Sequence, residues 1–290
     1  MMNRKISFGT GLLLILLVII TGCSSGDGKS TTYNFKQGIA EPTVEFVRNA
    51  PPDKIYPLSN FKIIAQVHNQ AAYDVQDVTL QLVGLVASYF DVVPTVQSVN
   101  PLLGRSAMSP DGDSAYVEFD GRSGQLFQNA EYYTGNFATE LSYRSGMEFA
   151  DTICINPSLY EVYDSGCTVQ PKKSYSGQGA PLAVTAMEEV VYPGTGAEIE
   201  FRFTMQNRGQ GTVGTVMLKS ATLGGEALDC FFQGTGLERN RIEFKDQRSP
   251  VTLLCRKSYL RDLNSYMTSL TAQFEYNYTL LEKRTLTLVK

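Results

Sequence analysis

The 290-residue sequence contains no tryptophan, a single histidine and no run of basic residues. Binding to nucleic acid requires lysine and arginine gathered on one surface, whereas the charges here are mixed and sum to −4. A serine or cysteine nucleophile would need His68 as its base, and no Gly-x-Ser-x-Gly motif accompanies it. We therefore predict no nucleic-acid partner and no enzymatic activity, although carboxylate pairs that meet only in the folded chain stay open.

Long apolar runs are also absent after residue 20. The chain begins with Arg4 and Lys5, continues with an apolar run at residues 12–20, and then reads Thr21-Gly22-Cys23. Basic residues, a short apolar stretch and small residues in this order are typical of a secretory signal peptide. The ending on cysteine resembles the lipobox of prokaryotic lipoproteins. The resemblance implies that residues 1–22 are removed and that Cys23 carries a diacylglycerol, which anchors the protein to a membrane.

Plain secretion and an uncleaved membrane anchor are the alternatives for this segment. A spanning helix needs about 20 mainly apolar residues, and residues 6–20 are fewer and include two glycines, a serine and a threonine. We expect a lipid-anchored protein outside the cytoplasm, at the cell surface or in a periplasm. Residues 23–40, which include the Gly/Ser-rich stretch 24–32, are expected to form a flexible spacer.

The rest of the composition is that of a β-rich globular protein. The chain has 16 tyrosines and 15 phenylalanines, which favour strands together with valine, isoleucine and threonine. About 268 residues follow residue 22, and at roughly 100–200 residues per domain this length suggests two domains.

Two stretches about 137 residues apart repeat one strand–turn–strand pattern. Apolar residues alternate in residues 61–69 and again in residues 199–207, which predicts strands with one buried face. These alternating residues are Phe61, Ile63, Ala65 and Val67, and Ile199, Phe201, Phe203 and Met205. Later, residues 139–143 resemble residues 272–276, so both halves also end alike. A tandem duplication of one β-unit explains the pattern.

The repeated piece carries a family resemblance. Residues 67–75 and 205–213 are similar to CARDB-type and related immunoglobulin-like domains of bacterial and archaeal surface proteins. That family usually has Asn-x-Gly before the turn; Asn207-Arg208-Gly209 keeps it, while Ala71 takes the glycine position in the first copy. The resemblance implies an all-β fold of two tandem immunoglobulin-like antiparallel β-sandwiches, at 41–156 and 181–290. A linker is expected at 157–180, and helical spacing predicts a short helix within residues 256–270.

The cysteines other than Cys23 are four, an even number in an oxidising compartment. We favour the pairs Cys154–Cys167 and Cys230–Cys255 among the three possible connectivities, because each pair is local. A metal site is the alternative, but zinc sites usually show cysteines two to four residues apart. We therefore expect disulfides, with no metal and no cofactor.

Three further features have both a structural and a functional interpretation. Asp111, Asp113, Glu118 and Asp120 offer oxygens to calcium, but they lack the EF-hand spacing and fit an ordinary turn. Residues 88–90 and 132–133 contain aromatics that fit either core packing or a binding surface. Asn277 begins an N-glycosylation sequon.

We predict a non-catalytic, lipid-anchored envelope protein that acts by binding another protein, in adhesion, surface-layer organisation or envelope-complex assembly. The alternative is a carbohydrate- or peptide-binding receptor lipoprotein. An exposed sheet edge favours the first role, and a deep polar cleft between the halves favours the second.

Overall fold

The structure, a computed structural model, describes residues 34–127, 129–156, 166–192, 197–234, 238–259 and 265–290. In these ranges the chain forms strands and no helix, and none of its elements is a helix suited to crossing a membrane. The strands are β1 (Thr43–Phe46), β2 (Asn60–Asn69), β3 (Val75–Val83), β4 (Phe90–Val92), β5 (Val96–Val99), β6 (Asp113–Ser123), β7 (Tyr132–Ile155), β8 (Lys172–Ser174), β9 (Leu182–Tyr192), β10 (Ala197–Asn207), β11 (Thr212–Leu223), β12 (Glu226–Ala227), β13 (Asp229–Phe232), β14 (Arg241–Glu243), β15 (Val251–Tyr259) and β16 (Tyr266–Val289).

The strands form three antiparallel sheets. One contains β1-β2-β6-β4, from the first half of the chain, and one contains β13-β15-β10-β9-β8, from the second half. A central sheet, β12-β11-β16-β7-β3-β5 with β14 beside β11, takes strands from both halves. The predicted all-β fold with antiparallel sheets is confirmed. Cys23 and the predicted signal peptide lie outside the described residues.

The two halves follow one strand plan. In the first, β2 lies between β1 and β6, and in the second β10 lies between β9 and β15. The pairing of β3 with β7 shifts register after Gln76, and the pairing of β11 with β16 shifts at the corresponding place, after Val213. Both predicted alternating sets are buried, because the inner side chains of β2 and β10 are at most 6% exposed.

The long strands β7 and β16 pair along their whole length, from Tyr132 with Val289 to Ile155 with Tyr266. Their middles meet where Tyr143 lies opposite Tyr278. β7 pairs with β3 of the first half through residues 138–145, and farther along it packs Phe149 against Phe203 of the second half. The halves are joined through this common sheet as well as through the chain connection.

The predicted spacer and the predicted linker both contain ordered contacts in their described parts. Gly38 of the predicted spacer forms a bridge with Gln178, and Lys36 lies 2.6 Å from Glu148. In the predicted linker, β8 pairs with β9, and residues 177–180 are buried. Residues 34–41 and 166–180 therefore belong to the packed unit Asn34–Lys290.

The helix predicted within residues 256–270 is wrong for its described part. β15 continues to Tyr259, β16 begins at Tyr266, and residues 260–264 lie outside the described residues. Leu270, Ala272 and Phe274 are buried at alternate positions, so pairing with β7 decides the conformation. The helical spacing of the apolar residues was coincidental.

The four remaining cysteines form two disulfides, Cys154–Cys167 and Cys230–Cys255. The first ties the end of β7 to the connection between the halves, and the second joins directly opposite residues of β13 and β15. Closing loops of this size stabilises a fold by about 3 kcal/mol each in the chain-entropy account. Disulfides are typical of proteins outside the cytoplasm.

Candidate interaction surfaces

A ladder of five aromatic rings runs from the core of the first half to its surface. The ring of Phe61 meets Phe90 at 6.0 Å, Phe90 meets Tyr133 at 6.0 Å, and Tyr133 stacks on Tyr89 at 3.8 Å. Tyr89 then meets Phe127 at 5.6 Å. Phe90 is 1% exposed and Phe127 is 73% exposed. Each contact holds the next ring in place, so the outermost ring is presented on an ordered support.

Backbone hydrogen bonds bring two further loops beside this ladder. The amide of Gly124 donates to the carbonyl of Tyr89 (2.9 Å), and the amide of Leu58 donates to the carbonyl of Gly124 (3.3 Å). The amide of Tyr89 donates to the carbonyl of Val86 (2.9 Å). Leu58 is 55% exposed and Val86 45%. We call Tyr56, Leu58, Val86, Tyr89, Phe127 and Tyr133 the aromatic patch.

The aromatics singled out from the sequence divide among three roles. Phe90 belongs to the core, and Tyr89 and Tyr133 are half-buried members of the ladder. Tyr132 points to the opposite face of β7, because successive side chains of a strand alternate, and it is 68% exposed. Sequence reasoning missed Phe127, whose ring meets Tyr89 only in the folded chain.

A second candidate surface is a polar groove at the junction of the halves. The groove has a volume of about 350 Å³, and its lining includes Tyr73, Arg144, Gly146, Glu148 and Glu275. Its charged side chains are paired: Arg144 donates to Asp77 (2.8 Å) and Glu275 (3.1 Å). These pairs join β3, β7 and β16, so the charges of the groove connect the two halves.

The two halves place different side chains at equivalent positions beside the groove. Val75 lies opposite Ser145 in the first half, whereas Val213 lies opposite the bulkier Tyr278 in the second. There the hydroxyl of Tyr278 donates to Glu41 (2.5 Å) and accepts from the amide of Gly211 (2.7 Å). The second-half position is filled by this ring, whereas at the first-half position the smaller Ser145 donates to the carbonyl of Asp74 (2.9 Å).

The same difference explains the departure from the Asn-x-Gly motif. Asn69 and Asn207 make equivalent turns, each accepting from the amide two residues later at 3.1 Å. A Cβ at Gly209 would lie 2.2 Å from the hydroxyl of Tyr278, so only glycine fits. Ala71 has room in the first copy, where a serine stands in place of the tyrosine. The asparagines therefore shape turns.

His68 lies on the outward side of β2, as predicted, and is half-exposed. Its Nε2–H donates to the carbonyl of Asp111 (2.6 Å), which leaves Nδ1 as an acceptor for Gln70 (3.4 Å). The ring therefore ties the turn at Asp111 to β2. None of its hydrogen-bond partners is a nucleophile or a carboxylate.

Replacing His68 with alanine is expected to leave function intact in any cell assay in which deletion of the protein has an effect. The melting temperature should fall only slightly, because the change removes the short hydrogen bond to Asp111, worth about 0.5–1.5 kcal/mol, and the longer one to Gln70 at a half-exposed site. A phenotype as severe as deletion, in a variant that remains folded, would contradict this interpretation.

The acidic residues considered for calcium do not converge. The side chain of Asp113 accepts from the amide of Ser114, and Glu118 and Asp120 lie near Lys62 at 2.7 Å and 3.6 Å. Hydrogen bonding by Glu118 raises the pKa of Lys62. Within the described residues no group of three potential ligands is arranged to hold a metal ion.

Two buried carboxyl groups in the second half were not anticipated. Glu200 is 2% exposed; burial opposes its charge, but hydrogen bonds from Arg202 and Arg256 lower its pKa overall. Glu189 is 6% exposed on the inner face of β9, opposite Phe201, and burial raises its pKa to about 7. The two carboxyls lie on opposite faces of the sheet, so they cannot flank one substrate.

Replacing Glu189 with glutamine is expected to make the stability of the fold less dependent on pH. Burial raises the pKa of Glu189 from its ordinary value of 4.5 to about 7 in the folded protein, so the wild-type fold should lose stability as the pH rises from 4.5 to 7. The glutamine variant should be more stable at pH 8, by roughly 1–3 kcal/mol. Urea unfolding at pH 5 and pH 8 measures the difference. The control is Glu188→Gln on the opposite face of β9: this half-exposed carboxylate is paired with Lys172, which lowers its pKa, so its loss should not reduce the pH sensitivity. An unchanged pH slope in Glu189→Gln would refute the prediction.

No protein-family description matches the chain, and no curated protein matches it. Three solved structures are similar over most of their length. The E. coli chaperone DraB shares 13% identity, with 78% of this chain and 89% of that chain covered and a TM-score of 0.21. The YadV chaperone shares 9% (79% and 90% covered, TM-score 0.20), and the CupB6 tip adhesin from Pseudomonas aeruginosa shares 8% (87% and 99%, TM-score 0.20).

Proposed function

We propose that this chain is a non-catalytic protein of the cell envelope, held to a membrane by lipid on Cys23, that works by binding another protein. Adhesion, surface-layer organisation and assembly of an envelope complex are the roles of this kind. The observation that carries the proposal is the aromatic patch. Its outer ring and flanking aliphatic side chains are exposed, while the inner rings of the ladder are packed into the core.

An interface needs apolar and aromatic anchors that lose little freedom on binding. Phe127 meets this requirement because its ring contacts Tyr89, which is itself stacked on Tyr133 at 3.8 Å. Exposed aromatic residues are also enriched where proteins bind proteins. The ladder thus supplies a preordered apolar contact on the surface of the first half.

Replacing Phe127 with serine and Leu58 with asparagine is expected to remove the partner without unfolding the protein. Asparagine suits position 58, where φ is 57°. Tagged protein is purified from native membranes, and the partner protein that co-purifies is quantified. The amount of partner recovered with the double variant should be about one tenth of the wild-type amount or less, because losing an anchor worth about 1.4 kcal/mol lowers the affinity about tenfold. Tyr116→Ser, at a 63% exposed tyrosine on β6, is the matched control. Equal recovery from the double variant and the control would contradict the proposal.

The junction groove favours the second candidate, a receptor for a carbohydrate or a peptide. Its volume of about 350 Å³ falls at the lower end of the range of small-ligand sites, about 300–1,000 Å³. Gly146 offers a direct test, since a Cβ there would meet only the carbonyl of Phe274, at 3.5 Å. Gly146→Leu should fill the groove and abolish binding in a glycan or peptide array, whereas Gly146→Ala should retain it. Binding that persists in the Gly146→Leu variant would exclude the groove as the ligand-binding site.

A further inference from the structure

The first half lacks an edge strand that the second half has. In the second half, β8 pairs with β9 through Lys172 with Glu188, Lys173 with Met187 and Ser174 with Ala186. In the first half, β1 takes the place of β9 and forms the edge of its sheet, with no described strand along its outer side. The position that β8 fills in one half is therefore unfilled by any described residue in the other.

The repeat gives the residues that correspond at this position. Phe46 lies opposite Ala65, and Met187 lies opposite Phe203; Ala65 and Phe203 occupy the same place in β2 and β10. Phe46 therefore corresponds to Met187. The outer side of β1 at Phe46 is the place where Lys173 would lie if the first half had a β8.

The facing strands give a second correspondence. Next to the matched register shifts, Val75 pairs with Ser145 in the first half, and Val213 pairs with Tyr278 in the second. β7 and β16 then run on in regular register with each other. Counting along both strands, Glu282 corresponds to Phe149, and Arg284 corresponds to Asp151.

In the second half, the segment that contains β8 closes the side of the sandwich. The Nζ of Lys173 lies 2.5 Å from Asp151, and the hydroxyl of Tyr175 donates to the same carboxylate at 2.7 Å. The ring of Tyr175 packs edge-on against Phe149 at 4.9 Å. A basic side chain of the edge strand thus reaches an acidic residue of the opposite sheet.

In the first half the charge at this position is reversed. Arg284 replaces the aspartate, and its guanidinium lies over the ring of Phe46 at 5.1 Å. Glu282 replaces the buried Phe149, and residues 281–285 are all exposed. An edge strand that fits here would carry a carboxylate where β8 carries Lys173.

We propose that an extended segment of a partner protein adds to the outer edge of β1, with one carboxylate directed to Arg284. Main-chain hydrogen bonds to an exposed edge supply affinity in such additions, and side chains supply selectivity. Charged residues near an edge also repel unsuitable strands. Arg284 would repel the Lys173 of another copy's β8, so self-association through that strand is disfavoured. The proposal rests on the proposed protein-binding function and names the chemistry of the partner.

Two peptides test the proposal directly. The first has the sequence of residues 170–178, and the second differs only by glutamate at the position of Lys173. Each is titrated into the unit Asn34–Lys290, with binding followed by fluorescence anisotropy and by the backbone amide NMR signals of residues 44–47. We expect the glutamate peptide to bind at least tenfold more tightly and to shift those signals.

Variants of the protein make the result specific. Arg284→Glu should reverse the preference, so that the lysine peptide binds more tightly. Lys283→Glu changes the adjacent residue on the opposite face of β16 and should leave the preference unchanged. Absence of binding, equal affinity for both peptides, or signal changes away from residues 44–47 would overturn the proposal.

The chain that begins at Cys23, in detergent micelles, distinguishes the remaining occupant. If the glutamate peptide binds Asn34–Lys290 but not this longer chain, the protein's own residues 23–33 cover the edge, and the partner proposal is wrong. Equal binding to both forms supports it. Failure of the peptides, together with loss of a partner in the aromatic-patch variant, would overturn this inference and leave the proposed function in place.

Discussion

Replacing Phe203 with alanine is expected to lower the free energy of unfolding by about 3–5 kcal/mol, because a buried aromatic side chain leaves a cavity when it is removed. Phe203 is 0% exposed in β10, and its ring packs edge-on against Phe149 of β7 at 5.3 Å. The contact joins the outer sheet of the second half to a strand that begins in the first. Equilibrium urea unfolding, followed by circular dichroism, measures the loss.

The control is Tyr116→Ala. This tyrosine is 63% exposed on β6, and surface changes of this kind usually stay within about 0.5 kcal/mol. A loss at Phe203 no larger than the loss at Tyr116 would show that the packing of β10 against β7 is not as described.

Replacing Cys23 with alanine is expected to move the protein from the membrane fraction to the soluble fraction, or to leave it unprocessed with its signal peptide attached. The lipid predicted on this residue is the proposed anchor, and two acyl chains hold a protein stably where one holds it only marginally. Fractionation and intact-mass measurement of wild type and variant follow both outcomes. Ser24→Ala, one residue on, is the control and should remain lipidated. Unchanged mass and unchanged membrane retention in Cys23→Ala would contradict the prediction.

The strands of both halves followed from the sequence because their signal is local. Alternation in residues 61–67 and 199–205 marks buried faces whatever lies opposite, and the two asparagines at 69 and 207 make their turns with the next few residues. These features depend on near neighbours in the chain. The sequence pattern therefore predicts these strands and turns.

The features that escaped prediction depend on distant partners. Residues 172–174 look like a polar linker, and they form a strand because β9 offers an edge. The described residues predicted to be helical after residue 265 form part of β16 instead, because they pair with β7. Glu189 sits in an apolar stretch, yet only the fold shows that its side chain faces Phe201.

The candidate surface was predicted in part. Residues 88–90 and 132–133 were identified as aromatic from the sequence, but the ladder arises from loops that meet in space, and Phe127 gave no signal of its own. Its exposure and its contact with Tyr89 distinguish it from the many phenylalanines of the core. Composition alone cannot distinguish an exposed phenylalanine from a phenylalanine of the core.

The most direct measurement of the central claim is site-specific photo-crosslinking in cells that express the complete 290-residue chain. A photoreactive phenylalanine derivative is placed at Phe127 in the aromatic patch, and in a second strain at Tyr116 as the control. The account predicts a discrete crosslinked partner protein from position 127 that disappears when Leu58→Asn is added, and no such product from position 116. Absence of a product at position 127, or identical products from both positions, would contradict the claim that the protein acts by binding through this patch.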